Sequence, residues 1–74
     1  MPEERLLSAE TGRQIEAAIA ALPAGQREVI TLRDVAGLGS DEVCRLLSIT
    51  PENQRVRLHR ARAAVRRRLE EYLR

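Results

Sequence analysis

The chain has 74 residues, which is enough for one small domain, and its hydrophobic content of 43% excludes a disordered chain by composition. A single tyrosine is its only aromatic residue, which excludes an aromatic stacking platform for single-stranded nucleic acid. The net charge of +2 is unevenly distributed: residues 1–53 hold nine acidic residues against five arginines, whereas residues 54–74 hold eight arginines against two acidic residues. This asymmetry indicates that the C-terminal segment meets a polyanion.

The composition offers little for metal binding, catalysis or membrane insertion. Cys44 is the single cysteine, which excludes an internal disulfide and a cysteine metal cluster, and we expect it to be a small buried apolar residue. With His59 as the only other strong ligand, we predict no metal, no cofactor and no small-molecule ligand. No nucleophile or carboxylate pair converges with His59, so an enzyme is not expected. The acidic start MPEER lacks a signal peptide and no apolar run could span a bilayer, which predicts a cytoplasmic protein without a membrane partner.

The first two predicted elements are helices with an apolar face. The first runs from about Thr11 to Leu22, and the second from about Gln26 to Ala36, where Gly37 stops it. Residues 1–8 show no firm periodicity, so we expect an N-terminal arm or linker end over residues 1–9 and a domain over residues 10–74. The residues predicted to face inward are Ile15, Ala18, Ile19 and Leu22 in the first helix and Val29, Ile30 and Leu32 in the second.

The third and fourth helices are separated by a three-residue turn. The third runs from about Ser40 to Leu47, and the fourth begins after Thr50 and reaches about Leu73. Thr50 is a good N-cap, and the proline that follows it suits the first helical position. Two helices joined by so short a turn, the second rich in arginine, predict a helix-turn-helix. The fold class is therefore all-α: a four-helix domain with a C-terminal helix-turn-helix and a long Arg-rich recognition helix.

The inward residues of the third and fourth helices follow from the same periodicity. In the third helix they are Val43, Leu46 and Leu47. In the fourth helix, residues within an arc of roughly 80° form a buried stripe: Gln54, Leu58, Ala61, Val65, Leu69 and Tyr72.

The outer face of the fourth helix is the part expected to meet DNA. Opposite the stripe lie Glu52, Val56, His59, Arg60, Ala63 and Arg67, with Arg55 and Arg66 beside them. A major groove accepts one helix, so this face is where base contacts are expected, whereas we assign Arg57, Arg62 and Arg68 to salt bridges or outer phosphates. The alternative is a merely solvated face. Seven arginines between positions 55 and 68, with no acidic residue among them, argue against it.

A series of short motifs lies between residues 22 and 62. The last hexapeptide, in register behind the predicted turn, is the most specific of them. Together they resemble region 4 of extracytoplasmic-function (group IV) sigma factors of the sigma-70 family, and the resemblance covers about residues 15–70. The motifs are Leu22-Pro23, Gln26-Arg27-Glu28-Val29, Leu32-Arg33-Asp34, Asp41-Glu42-Val43, Leu46-Leu47-Ser48-Ile49-Thr50 and Arg57-Leu58-His59-Arg60-Ala61-Arg62.

This resemblance implies sequence-specific binding to double-stranded DNA at the −35 promoter element, as part of the RNA polymerase that initiates transcription. It also implies docking on the flap of the polymerase β subunit, with an anti-sigma factor as a further partner. Arg33 is implied as a phosphate clamp, and Asn53 as a phosphate contact near a helix N-terminus. The other residues implied at DNA are Thr50, Arg55, Val56, His59 and Arg60.

Three positions depart from the family pattern. Gly39 stands where an N-cap Ser or Thr is usual, so Glu42 lacks its capping-box partner unless Ser40 caps instead. Ser48 stands where Gly is common in the turn, and a left-handed conformation there would cost roughly 1 kcal/mol. Gln54 replaces a buried Val, so its amide needs a hydrogen-bond partner.

Two other functions are compatible with a helix-turn-helix. A free-standing dimeric regulator of the LuxR type resembles VKxHxxxIxxKL in its recognition helix, which fits residues 56–62 poorly. A protein-binding module for an anti-sigma factor or the polymerase flap would be marked by exposed Leu or Val on the first three helices. A complete sigma factor also needs aromatic residues in a region 2, and Tyr72 is the only one here, so we expect a fragment of a longer protein.

Overall fold

Four α-helices and one π-helical turn follow one another in a computed structural model that describes the backbone of residues 2–74 and the side chains of residues 8–74. No strand occurs among residues 2–74, which confirms the predicted all-helical fold with four helices. The elements are α1 (Pro2–Ala20), α2 (Ala24–Ile30), a π turn (Thr31–Val35), α3 (Ser40–Leu47) and α4 (Pro51–Tyr72).

Helix α1 begins earlier than predicted, at Pro2 and not near Thr11, and it ends at Ala20. Proline at the first helical position followed by acidic residues favours a helix start, and this outweighs the weak apolar periodicity. The helix continues through Gly12, across which Glu10 and Arg13 form an exposed ion pair at 2.6 Å. The side chains of residues 1–7 lie outside the described part of the chain, and the boundary between an arm and a domain at residue 10 stays a prediction.

The second predicted helix is confirmed in position but changes type along its length. It is α-helical from Ala24 to Ile30 and continues as the π turn, in which the Ala36 amide donates to the Thr31 carbonyl at 2.8 Å. Gly37 then adopts a left-handed φ of 77°, as expected for the residue that stops the helix. A π turn inserts one extra residue per turn, so it changes the direction of the side chains that follow.

Helix α3 has the predicted bounds, but one of its inward residues was assigned wrongly. Val43 is fully buried and Leu47 half-buried, whereas Leu46 is 64% exposed. The half-buried Cys44 occupies the inner face instead, because this face is centred between Val43, Cys44 and Leu47 and lies about 100° from Leu46 on a helix. Gly39 is the N-cap of α3, with no side-chain cap.

Helix α4 begins at the predicted residue and follows the predicted register. The Asn53 amide donates to Thr50 Oγ1 at 3.0 Å, so Thr50 caps the helix and Pro51 occupies its first position. Its buried residues are Gln54, Leu58, Ala61 and Val65, while Leu69 and Tyr72 near the end are half-buried. The 22-residue helix therefore presents one continuous inner stripe to the rest of the domain.

The core lies where α4 crosses α1 and α2. Most of its residues are aliphatic, and half-buried Ile15, Ile19 and Leu69 pack against its edge. Because α4 supplies the largest share of the core, its opposite side is left free of packing and is fixed in orientation. The buried core residues are Ala18, Leu22, Val29, Ile30, Leu58, Ala61 and Val65.

Candidate nucleic-acid interface

The outer face of α4 is the exposed surface that the sequence predicted. Val56 is 47% exposed, although it is apolar, and the remaining members are polar or small. Ala63 is half-buried because it lies in a cleft beside His59 and Arg66. The exposed residues of this face and its flanks are Glu52, Asn53, Arg55, Val56, His59, Arg60, Arg66 and Arg67.

The turn before α4 holds this face at a fixed angle to α3. Ser48 is the only non-glycine residue with a positive φ among the described residues, with φ 53° and ψ 47°. The Ile49 amide donates to the Cys44 carbonyl at 3.1 Å, and the Ile49 side chain packs against the core. Thr50 then begins the next helix in an extended conformation. The connection before α4 is therefore short, and both a backbone hydrogen bond and the packing of Ile49 hold it in place.

Gln54 is the buried polar residue among the described side chains, with 1% exposure, and its amide is fully bonded. Its Oε1 accepts a hydrogen bond from Arg33 Nη1 at 2.5 Å. Its Nε2 donates to the Ser40 carbonyl at 2.8 Å and to Cys44 Sγ at 2.9 Å. The sequence indicated that this amide needs a partner, and the structure supplies three. Cys44 is thus a hydrogen-bond acceptor, a role that the sequence analysis missed.

Arg33 lies apart from the exposed face that holds most of the predicted DNA contacts. It is half-buried in the π turn, and its guanidinium is held against the first turn of α4 by Gln54. The structure therefore brings Arg33 to Gln54 in the first turn of α4, although the two residues are 21 positions apart in the chain.

Two arginines of α4 make contacts with other segments of the domain. Arg62 Nε and Nη2 donate to the two Asp34 carboxylate oxygens at 2.8 and 2.6 Å, which is the salt bridge expected for Arg62. These hydrogen bonds lower the pKa of Asp34 below its usual value and raise the pKa of Arg62. Half-buried Arg57 lies over Gly25, where a Cβ would come within 2.9 Å of Arg57 Nη1. Glycine at this position therefore gives the Arg57 side chain room to pack.

The exposed face keeps an excess of positive charge, because the Arg62–Asp34 ion pair uses none of its arginines. Arg55, Arg60, Arg66 and Arg67 are exposed, and Glu52 is the acidic residue on the same face. A helix bearing several uncompensated guanidinium groups attracts a polyanion and can donate to phosphate or to guanine. The surface is thus suited to bind the backbone and base edges of a duplex.

Residues 12–65 of the chain match the family described as sigma-70, region 4. The chain belongs to the sigma-70 region 4 family. Region 4 is a DNA-binding helix-turn-helix domain and not an enzyme, which confirms both sequence predictions. We call this exposed face of α4, which holds Arg55, Val56, His59 and Arg60, its recognition face.

The chain is also similar to part of a longer curated protein. The ECF RNA polymerase sigma factor ShbA of Streptomyces griseus is 37% identical over 65 residues, which are 88% of this chain. The chain spans about a third of the length of this curated relative, with a coverage of 34%. No solved structure matches this chain.

Among the described residues, no group of three or more His, Cys, Asp or Glu side chains is placed to hold a metal ion. Within the same residues, no helix combines the length and apolar character needed to cross a bilayer.

Proposed function

We propose that this region 4 domain binds the −35 element of bacterial promoters as part of an RNA polymerase sigma factor, and so directs transcription initiation. The observation that carries the proposal is the exposed Arg-rich face of α4 directly behind a three-residue turn. A helix presented in this way enters a major groove, where the base edges of all four pairs can be distinguished. Family membership supports the same function.

The proposed contacts divide into base readers and phosphate anchors. Arg55, Val56, His59 and Arg60 lie on the exposed face of α4, so we assign them to base edges or the adjoining backbone. The start of α4 presents the positive end of the helix dipole to phosphate, which suits the exposed side chains of Thr50 and Asn53. Arg33 flanks this start from the π turn and is assigned to phosphate.

The test compares one reader with one anchor in the 74-residue chain. The preferred sequence is first selected from a random duplex library, and binding is then measured on that duplex and on a scrambled one. Arg60→Ala should weaken the selected duplex by roughly 1–3 kcal/mol and relax preference at one base position, because bidentate guanine contacts are lost. Arg33→Ala should weaken both duplexes about equally and reduce the salt slope by about one charge.

Two results would overturn these assignments. If Arg33→Ala changes the sequence preference while Arg60→Ala weakens every duplex alike, the two roles are reversed. If the chain selects no sequence from the library at any salt concentration, promoter reading by this face is wrong.

A second function is favoured by exposed apolar residues away from the recognition face. Val35 in the π turn is 67% exposed and Leu46 in α3 is 64% exposed, which is the mark expected of a protein-binding module. Val35 borders a groove of about 380 Å³ whose walls are mainly aliphatic. We assign this groove to the flap of the RNA polymerase β subunit, with an anti-sigma factor as the competing occupant. Its apolar lining residues are Ile15, Ile19, Ile30, Val35, Val65 and Leu69.

A further inference from the structure

The buried amide of Gln54 links three segments that are distant in the chain. Its Oε1 accepts from Arg33 in the π turn, and its Nε2 donates to the Ser40 carbonyl and to Cys44 in α3. Gln54 itself lies in the first turn of α4, one residue after Asn53. A single side chain therefore connects the π turn, the start of α3 and the start of the recognition helix.

Packing alone does not explain a glutamine at this position. The neighbouring members of the stripe, Leu58 and Ala61, are apolar, and a buried amide costs free energy unless all its hydrogen bonds are made. Of the three hydrogen bonds of the amide, the one from the Arg33 guanidinium is expected to be the strongest, because hydrogen bonds to a charged group are stronger than neutral ones. The glutamine is therefore explained better by its bond to Arg33 than by packing in the core.

The π turn is also fixed at a second point along α4. Asp34, the residue after Arg33, pairs with Arg62, which lies eight residues beyond Gln54. At 1.5 Å per residue these two attachments are about 12 Å apart along the helix. Two attachments at this separation restrict rotation of the π turn on α4 and so favour one position of the Arg33 guanidinium relative to this helix.

We propose that Gln54 is a positioning residue for DNA binding. It holds the Arg33 guanidinium beside the start of α4, so that this side chain is already ordered when it meets a DNA phosphate. The proposal rests on the proposed function, in which Arg33 is a phosphate anchor. A preordered side chain loses less conformational entropy on binding than a mobile one. Gln54 acts through Arg33 and does not itself contact DNA, since it is buried.

The restraint of the Arg33 side chain by Gln54 can be tested without DNA. The measurement is NMR of the arginine guanidinium groups in the 74-residue chain. Arg33 should show slowed rotation about its Nε–Cζ bond in the native chain. Gln54→Met, which keeps the size but not the polar atoms, should abolish the slowing. Leu58→Met, a substitution in the same buried stripe that leaves Gln54 in place, should leave the slowing unchanged. The same rotation rate in the native chain and in Gln54→Met would overturn the proposal.

The consequence for DNA is tested with a mixed-sequence 30-base-pair duplex at several salt concentrations. Gln54→Met should weaken binding about threefold to tenfold, the range expected for ordering one long side chain. In an Arg33→Ala background the same substitution should have no further effect, because its partner is already absent. Leu58→Met is the matched control: it changes packing in the same buried stripe without touching Arg33, and should leave the affinity and the salt slope unchanged.

Each alternative result has a distinct reading. An equal loss from Gln54→Met with and without Arg33 would show a structural role and overturn the proposal. If Arg33→Ala has no effect on binding while Arg60→Ala relaxes base preference, the positioning role fails and promoter reading stands. If the native chain binds no duplex, the proposed function itself fails, and the positioning role falls with it whatever the NMR result.

Discussion

At the scale of single residues, Ser48 carries the clearest local conflict between conformation and residue type. Its φ of 53° and ψ of 47° place it in the left-handed region, which a Cβ disfavours. The turn requires this conformation because α3 and α4 are joined by so few residues. Its side chain is exposed, so packing does not compensate for the unfavourable backbone.

Ser48→Gly should therefore stabilise the domain. Relief of the left-handed penalty, reduced by the greater freedom of glycine in the unfolded chain, predicts a gain of about 0.5–1 kcal/mol. In a domain of this size that gain raises Tm by about 3–6 °C in a thermal melt followed by circular dichroism. Ser48→Ala retains the Cβ and serves as the control, with no comparable gain. A lower Tm for Ser48→Gly would show that the hydroxyl contributes more than the backbone costs.

At the scale of elements, the π turn is held on α4 by an ion pair whose strength depends on pH. Asp34 has a lowered pKa because Arg62 donates two hydrogen bonds to its carboxylate, and its side chain is 34% exposed. The folded state therefore releases this proton more readily than the unfolded state does. The stabilisation is complete above the ordinary aspartate pKa of about 3.9 and is lost as the pH falls through the lowered value of the folded state.

Asp34→Asn should consequently destabilise the domain at neutral pH but not at low pH. The pair is largely open to solvent, so the expected loss at pH 7 is only about 0.2–1 kcal/mol. Urea melts of the native chain and of Asp34→Asn at pH 7 and near pH 2 measure the difference. If the free energies of unfolding of the two chains differ by the same amount at both pH values, the effect comes from the shape of the side chain and not from its charge.

The inner and outer faces of α4 predict opposite responses to truncation. Leu58 is 7% exposed in the middle of the buried stripe, whereas Val56 is 47% exposed on the recognition face. Leu58→Ala should cost about 2–5 kcal/mol, enough to unfold a small domain, because it leaves a cavity in the core. Val56→Ala on the same helix is the control and should change stability by less than about 0.5 kcal/mol. Equal midpoints for the two variants would contradict the helical register described here.

At the scale of the whole molecule, the domain offers two surfaces with different chemistry. The recognition face of α4 is rich in arginine, and the groove between α1, the π turn and α4 is lined mainly by aliphatic side chains. Val56 and Arg60 do not line the groove, although Arg62 and Arg66 lie at its rim. The two proposed partners would therefore meet different sides of α4, with Arg66 at the border of both surfaces.

Substitutions on the two surfaces should separate the two activities. Val35→Asn should weaken binding of a β-flap fragment about tenfold, because the burial of one exposed valine is lost, while duplex binding is unchanged. Arg60→Ala should weaken duplex binding and leave the affinity for the flap fragment unchanged. Fluorescence anisotropy of both variants with a labelled flap fragment and with a labelled duplex measures all four affinities. Loss of flap binding in Arg60→Ala alone would place the partner on the recognition face.

Local rules in the sequence determined the ends of α3, the start of α4 and the exposed face of α4, whereas the start of α1 was predicted about nine residues too late. The capping residue Thr50 and the stripe through Leu58 fix the start and the register of α4, because helix periodicity and N-caps act within a few residues. The position of Gly37 likewise determined where the second helix stops. The outward direction of Arg60 followed from the same register without knowledge of the fold.

Only the tertiary structure decided which distant groups meet. Gln54 is hydrogen-bonded to Arg33, 21 positions away in the chain, and Arg62 is hydrogen-bonded to Asp34, 28 positions away. The exposure of Leu46 and the π turn at Thr31–Val35 also depend on how α3 and the second helix pack against α4. Hydrogen bonds between separate elements depend on the angle and depth at which the helices pack, and local periodicity does not encode either quantity.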